Sequence, residues 1–233
     1  MKLSILIPVY NDRDYIEQAV AQVKAVPYSI PYEIVAVDDY STDGSRELLE
    51  KIPDIQVILH EKNTGKGGAI QTGLKHCTGD LIAIQDDDCE YDPSAIPALI
   101  APILRGDSEV VYGSRFLRKN LMYPIQRLEN IAITTLGNIL LGQRLTDIES
   151  GHKVFSRKVA ERLNLQANGF EFDMEITIQI VKLGYRIKEL PTKYAARTHE
   201  EGKKITFMDG IKTIRTLLKY TLGSEARKIK LGK

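Results

Sequence analysis

Asp80-Leu81-Ile82-Ala83-Ile84-Gln85-Asp86-Asp87-Asp88 is the stretch on which the fold turns. Its apolar run is too short for a helix and reads as a buried strand that ends in three consecutive acids. Strand side chains alternate, so Asp86 and Asp88 are expected on one side and Asp87 on the other. The same unit recurs around it. Leu3 to Ile7 is an apolar run stopped by Pro8, Glu33 to Val37 ends in Asp38-Asp39, Ile55 to Leu59 is a third strand, and Glu109 to Tyr112 a fifth. Helical signals fall between them. Ile16, Ala19, Val20 and Val23 recur at helical spacing, Asp43-Gly44-Ser45 opens a helix, Gly67 to His76 is helical, and Asp92-Pro93 supplies an N-cap with proline at the first helical position. Repeated strand-helix-strand units predict an α/β fold with a mainly parallel sheet and helices on both faces.

After Gly113 the pattern changes. Arg115, Arg118 and Lys119 lead into a long helix from about Gln126 to Leu141, a loop over residues 142–151, and a last helix from about Phe207 to Leu222. No linker or repeat interrupts the 233 residues, so one domain with a C-terminal helical extension is expected. With 32 basic against 31 acidic residues, the net charge of +1 gives no reason to propose nucleic acid as a partner. The two cysteines, Cys77 and Cys89, form no metal pattern or disulfide framework, which points to a reducing, cytoplasmic compartment. No stretch approaches the roughly 20 apolar residues of a spanning helix. Any lipid would be met at the membrane surface, and the basic tail (Arg227, Lys228, Lys230, Lys233) is the better membrane candidate. The stripe Ile211, Ile214, Leu217, Leu218 and Leu222 is expected to pack onto the domain.

Same-facing carboxylates at the carboxyl edge of a parallel sheet repel each other unless a cation sits between them. A hard divalent ion with substrate phosphates suits such a pair. The alternative is a solvated acidic turn capping the next helix, but Asp92 already serves as that cap. Asp39 ends another strand, where ligands bind in open α/β sheets. The glycine-rich Asn63-Thr64-Gly65-Lys66-Gly67-Gly68 is neither a Walker loop nor a dinucleotide fingerprint; Lys66 is either a phosphate contact or a solvated lysine.

Pro8-Val9-Tyr10-Asn11, Asp38 to Gly44, Asn63 to Gly67, Thr78-Gly79-Asp80, Gln85 to Asp88 and Tyr112-Gly113-Ser114-Arg115 occur in the order seen in family 2 glycosyltransferases. The chain resembles in particular the dolichyl-phosphate and polyprenyl-phosphate sugar synthases of that family. The resemblance implies the GT-A fold, a Rossmann-like domain, with residues 1–113 as the nucleotide-sugar half and residues 114–233 as the acceptor half. It implies a base and ribose pocket at Pro8, Tyr10, Asp12, Val37 and Asp39, and Mg²⁺ or Mn²⁺ held by Asp86 and Asp88, with Glu90 where relatives carry glutamine. Asp87 replaces the usual small residue between the acids and falls with Lys66 among the donor contacts. Arg115 matches an arginine on the acceptor phosphate, with Arg127 either its partner or a solvated residue. Arg197 and Lys203 resemble a basic loop closing over the donor diphosphate, whereas His199 and Lys204 read as ordinary surface.

Thr146-Asp147-Ile148-Glu149-Ser150-Gly151 resembles a segment beside the reaction centre, in which Asp147 is either a base or an orienting residue, and His152 replaces a common aromatic. Glu171 and Asp173 read as first-turn acids of the next helix, with Glu175 left open. The resemblance thus implies inverting transfer of a hexose from a UDP- or GDP-sugar, such as GDP-mannose, to a polyprenyl phosphate. The alternatives are a saccharide hydroxyl as acceptor, and a non-catalytic nucleotide-sugar-binding subunit.

Overall fold

The structure, a computed structural model, describes residues 1–197 and 207–222. Seven strands form one sheet in the order β3-β2-β1-β4-β6-β5-β7. They are β1 (Leu3–Val9), β2 (Tyr32–Asp38), β3 (Gln56–Leu59), β4 (Leu81–Ile84), β5 (Val110–Ser114), β6 (Lys153–Ser156) and β7 (Ile187–Pro191). The helices are α1 (Arg13–Ala25), α2 (Ser45–Leu49), α3 (Lys66–His76), α4 (Ile96–Leu104), α5 (Pro124–Leu141), α6 (Arg157–Ala160), α7 (Phe172–Lys182) and α8 (Phe207–Thr221). The five strands expected before Gly113 are all present. The two later ones mix lysine, glutamate, serine and proline into their short runs and so lack an unbroken apolar stretch, and β6 runs antiparallel to both β4 and β5.

Alternation along β1 sends Leu3, Ile5 and Ile7 to one face, where α1, α2 and α4 bring Ile16, Val20, Leu49 and Ile100. Leu6 faces the other way with Val35 and Val37, against Ala69 and Ile70 of α3 and Phe172 and Ile176 of α7. Both faces are therefore covered, which is why the strands read as unbroken apolar runs. Gly67 is required for this packing. A Cβ there would lie 2.2 Å from the backbone oxygen of Ala167. Gly67→Ala is expected to cost about 1–3 kcal/mol through overpacking, a loss that thermal denaturation would register.

β1 leads to β2 on one side and pairs with β4 on the other. The strand order reverses there, so a crevice opens beyond the carboxyl ends of β1 and β4. Asp12 and Asp86 to Asp88 arrive at it together. Beyond the main core, α5, α7 and α8 enclose a third cluster of Leu145, Ile148, Met174, Ile178, Leu217 and Tyr220. The stripe expected on α8 splits. Leu217 is buried, while Ile214, Leu218 and Leu222 are exposed. The contacting face is set by Asp209, Thr213, Leu217 and Tyr220, whose spacing of three and four keeps them on one side.

Candidate active site

The crevice deepens into a cavity of about 580 Å³ that runs from the acids to the apolar sides of α5 and α8. Ten acidic side chains and three basic ones line it among the described residues. β4 ends at Ile84, so strand alternation does not govern the acids, and Asp86, Asp87 and Asp88 all face the cavity. This corrects the expectation that Asp87 points away. The chain instead turns through Cys89 at φ 59°, and Asp88 Oδ1 accepts from the Glu90 amide.

Two cations already sit on this edge. Lys66, the first residue of α3, places Nζ 2.7 Å from Asp86 Oδ1. Arg197 donates from Nη1 to Asp12 Oδ1 at 2.9 Å and from Nη2 to Asp88 Oδ2 at 3.2 Å, with its guanidinium over the Tyr15 ring. Burial would raise the Asp86 carboxyl, but Lys66 holds it below the ordinary range. Asp88 goes the other way, pushed up to about 7 by burial and by the charges of Asp86 and Glu90. Among the described residues, the edge thus carries more acids than Lys66 and Arg197 pair with. Oxygen donors in that state are of the kind a hard divalent cation takes, and Asp86 and Asp88 would be the residues to hold one. Gly151 makes room here, because a Cβ on it would lie 2.2 Å from Asp86 Oδ2.

Glu90, expected as a third metal ligand, is committed elsewhere. Its Oε2 accepts from the Tyr194 hydroxyl at 2.6 Å and its Oε1 from the Arg197 amide at 2.7 Å. It fastens the segment after β7 that delivers Arg197. No group of three acids, histidines or cysteines able to hold a metal exists among the described residues.

Across the cavity Arg115 follows β5 and pairs with Asp147. Its Nε and Nη2 each donate to the carboxylate at 2.7 Å, its backbone amide adds a third bond at 2.9 Å, and Nη2 also reaches Asn130 Oδ1 at 3.0 Å. Glu189 on β7 holds the loop in place by accepting from the Thr146 and Asp147 amides. Asp147 is fully buried, whereas Arg115 lines the cavity. Engaged in this way, the Asp147 carboxylate holds the Arg115 guanidinium in one orientation. Both groups needed the fold to meet, being 32 residues apart.

The glycosyl transferase family 2 profile matches residues 4–163, from β1 to just past α6. The chain belongs to glycosyl transferase family 2. It is 31% identical over 217 residues to the dolichol-phosphate mannosyltransferase of Pyrococcus furiosus, covering 87% of this chain and 59% of that protein. It is 30% identical over 221 residues to the low-salt glycan biosynthesis hexosyltransferase Agl6 of Haloferax volcanii, covering 93% of this chain and 53% of that protein. The chain therefore spans somewhat more than half the length of these two relatives. Among solved structures, glucosyl-3-phosphoglycerate synthase from Mycobacterium tuberculosis with Mn²⁺, UDP and glucosyl-3-phosphoglycerate shares the fold. The TM-score is 0.74 at 22% identity, over 94% of this chain and 80% of that one. The same enzyme with Mg²⁺ and UDP gives a TM-score of 0.73.

The remaining residues expected from the family resemblance divide clearly. Pro8, Tyr10, Asp12 and Asp39 line the cavity. Val37 does not. It is fully buried in the core beneath α3, because β2 is covered on both faces. Asp39 holds the glycine-rich loop by accepting from the amides of Thr64 and Gly65 and from the Thr64 hydroxyl, and it also meets His60 Nδ1 at 2.7 Å. Arg127 is exposed and stacks on Phe116, so Asn130, three residues on, is the α5 residue that reaches Arg115. Asp173 is more than a first-turn acid: it pairs with the buried Lys153 at 2.5 Å. Glu175 secures the preceding loop through the amides of Gln166 and Ala167. Lys203, His199, Lys204 and the basic tail lie outside the described residues.

His152 is buried beside Tyr91, with Nε2 2.6 Å from Gln85 Oε1 and Nδ1 3.0 Å from Thr192 Oγ1. Burial pushes its pKa down to about 4. A group neutral when folded but protonated when unfolded makes stability fall as pH drops from about 6.5 to 4, by on the order of 3 kcal/mol. His152→Phe should therefore show a flatter stability profile across that window, although less stable at pH 7. Urea midpoints measured at several pH values would check it.

Proposed function

We propose that this chain transfers a hexosyl group from a UDP- or GDP-sugar to a polyprenyl phosphate, with inversion at the anomeric carbon. The observation that carries the reading is Arg115. Its Nε and Nη2 are fixed by Asp147 and Asn130, and its Nη1 has no hydrogen-bond partner among the described residues on a side chain that lines the cavity. A guanidinium held this way is prepared for a phosphate oxygen. Beyond it the cavity wall turns apolar through Met122, Ala132, Ile133, Ile211 and Ile214. Ile125, Leu128 and Ile139 of α5 and Leu218 of α8 are exposed nearby, on the elements a prenyl chain or membrane surface would meet. No helix among the described residues is long and apolar enough to cross a membrane. The similarity to a dolichol-phosphate mannosyltransferase supports a lipid-phosphate acceptor.

At the opposite end, Asp86 and Asp88 would hold Mg²⁺ or Mn²⁺. Such an ion neutralises charge on a departing diphosphate. Support comes from the glucosyl-3-phosphoglycerate synthase structures containing UDP with Mn²⁺ or Mg²⁺. Lys66 and Arg197 bring further positive charge to the same place. Asp12, Tyr10 and Asp39 border the space for the nucleoside. A phosphate monoester loses its second proton near pH ~6, so it attacks as an anion without a base, in keeping with the sealed Asp147.

The test is a transfer assay with UDP- and GDP-hexoses, Mn²⁺ or Mg²⁺, and a short polyprenyl phosphate. Product that depends on all three components is the expected result. Transfer to a saccharide hydroxyl, with none to the lipid phosphate under any donor, would overturn the acceptor assignment.

A further inference from the structure

Glu149 stands apart from the acids discussed so far. It lies in the loop between α5 and β6, and its side chain forms part of the cavity wall. Its Oε1 is sealed from solvent and has no hydrogen-bond partner among the described residues. Asp173, Lys153, Arg115 and Asp147 all lie close enough to exert their charge on it. Asp173 in turn lies 3.9 Å from Lys66 Nζ, which is 2.7 Å from Asp86. Glu149 therefore sits between the donor edge and the arginine assigned to the acceptor.

A buried carboxyl oxygen left unpaired costs about 1–3 kcal/mol. The neighbours do not relieve it. Lys153 is taken by Asp173 and by the Ser150 carbonyl, and Arg115 by Asp147. A ligand in the cavity would supply the missing donor when the half-buried side chain turns toward it. Between a diphosphate at one end and a phosphate at the other, the groups that can do so are the hydroxyls of the sugar being transferred.

We propose that Glu149 determines which hexose is accepted, its carboxyl receiving a hydrogen bond from a sugar hydroxyl. This rests on the glycosyl-transfer reading above. A site built around a substrate hydroxyl discriminates strongly against a sugar that lacks it or presents it elsewhere, because the protein group is then left unsatisfied. Burial and the charge of Asp173 push the carboxyl up to about 8, so at neutral pH it is largely protonated. Glutamine reproduces both the shape and the donor-acceptor capacity of that form.

The experiment compares wild type, Glu149→Gln and Glu149→Ala by titration calorimetry with Mn²⁺. The probes are UDP, GDP, UDP-glucose, UDP-galactose, UDP-N-acetylglucosamine and GDP-mannose. Glu149→Ala should bind the preferred nucleotide sugar about 10- to 100-fold more weakly and lose discrimination among sugars on one nucleotide. It should bind the free nucleoside diphosphate within about twofold of wild type. Glu149→Gln should keep the wild-type ranking, which also guards against an alanine variant that fails to fold. An unchanged sugar ranking in Glu149→Ala would overturn the assignment, as would an equal loss for the free nucleoside diphosphate. Wild type that binds nucleoside diphosphate but gains nothing from any sugar would overturn it too. Wild type that binds no nucleotide or nucleotide sugar would sink the glycosyl-transfer reading itself.

Discussion

Asp147→Asn and Arg115→Met should each cripple the enzyme, and the double variant should be little worse than either single one. The pair is bidentate and buried, with both guanidinium bonds at 2.7 Å. Removing one member strands the other charge away from water, at a cost of about 3–5 kcal/mol. Removing both eliminates that penalty, so the double-mutant cycle should show strong coupling in denaturant midpoints. For catalysis the expected signature is a large rise in KM for the phosphate acceptor in both single variants. Arg115→Lys should behave like the others, because an ammonium cannot make the two parallel bonds that fix the fork. A general base at Asp147 predicts something different: loss confined to kcat, with Arg115→Lys nearly intact. The coupling also means that comparing single deletions cannot separate a phosphate acceptor from a hydroxyl acceptor, since each residue depends on the other.

Asp88→Asn should move activity and stability in opposite directions. Its carboxyl is raised to about 7 by burial and by Asp86 and Glu90. A carboxyl with a raised folded pKa contributes stability that is present below its unfolded value near 4 and lost as pH rises through 7. Asparagine cannot ionise, so the metal-free variant should gain stability relative to wild type at pH 8 and little at pH 5. Thermal denaturation at the two pH values, in chelator, measures this. Donor turnover should fall by about 10²-fold or more, because several kcal/mol of charge stabilisation is withdrawn. Chelation should depress wild type by a similar factor and leave Asp88→Asn almost unaffected.

The parallel half of the sheet could be read from sequence because its strands are buried on both faces, as at Leu3 to Ile7 and Leu81 to Ile84. β6 and β7 could not, since four or five residues with a buried lysine or an exposed proline carry no usable period. The acids at residues 86 to 88 were legible as a site by position, but not in orientation. The strand stops two residues before Asp86, and a turn decides where each carboxylate points. Arg115, Asp147 and Arg197 were singled out by resemblance, yet the partners that hold them lie far along the chain. Asp12 and Arg197 are 185 residues apart. Glu90 and Val37 have neighbours that sequence could not show: Tyr194 and the Arg197 amide bond to the one, and the helix layer covers the other. Glu149 gave no sign in sequence beyond its neighbourhood, because an unpaired buried atom exists only once the fold has closed around it.

The most direct test of the account is calorimetric binding of UDP and GDP to wild type and to an Asp86→Asn, Asp88→Asn double variant, with Mn²⁺ and in excess chelator. Wild type should bind one nucleotide tightly only with the ion, and the variant should bind weakly whether or not the ion is present. Equal affinity in all four conditions would contradict it.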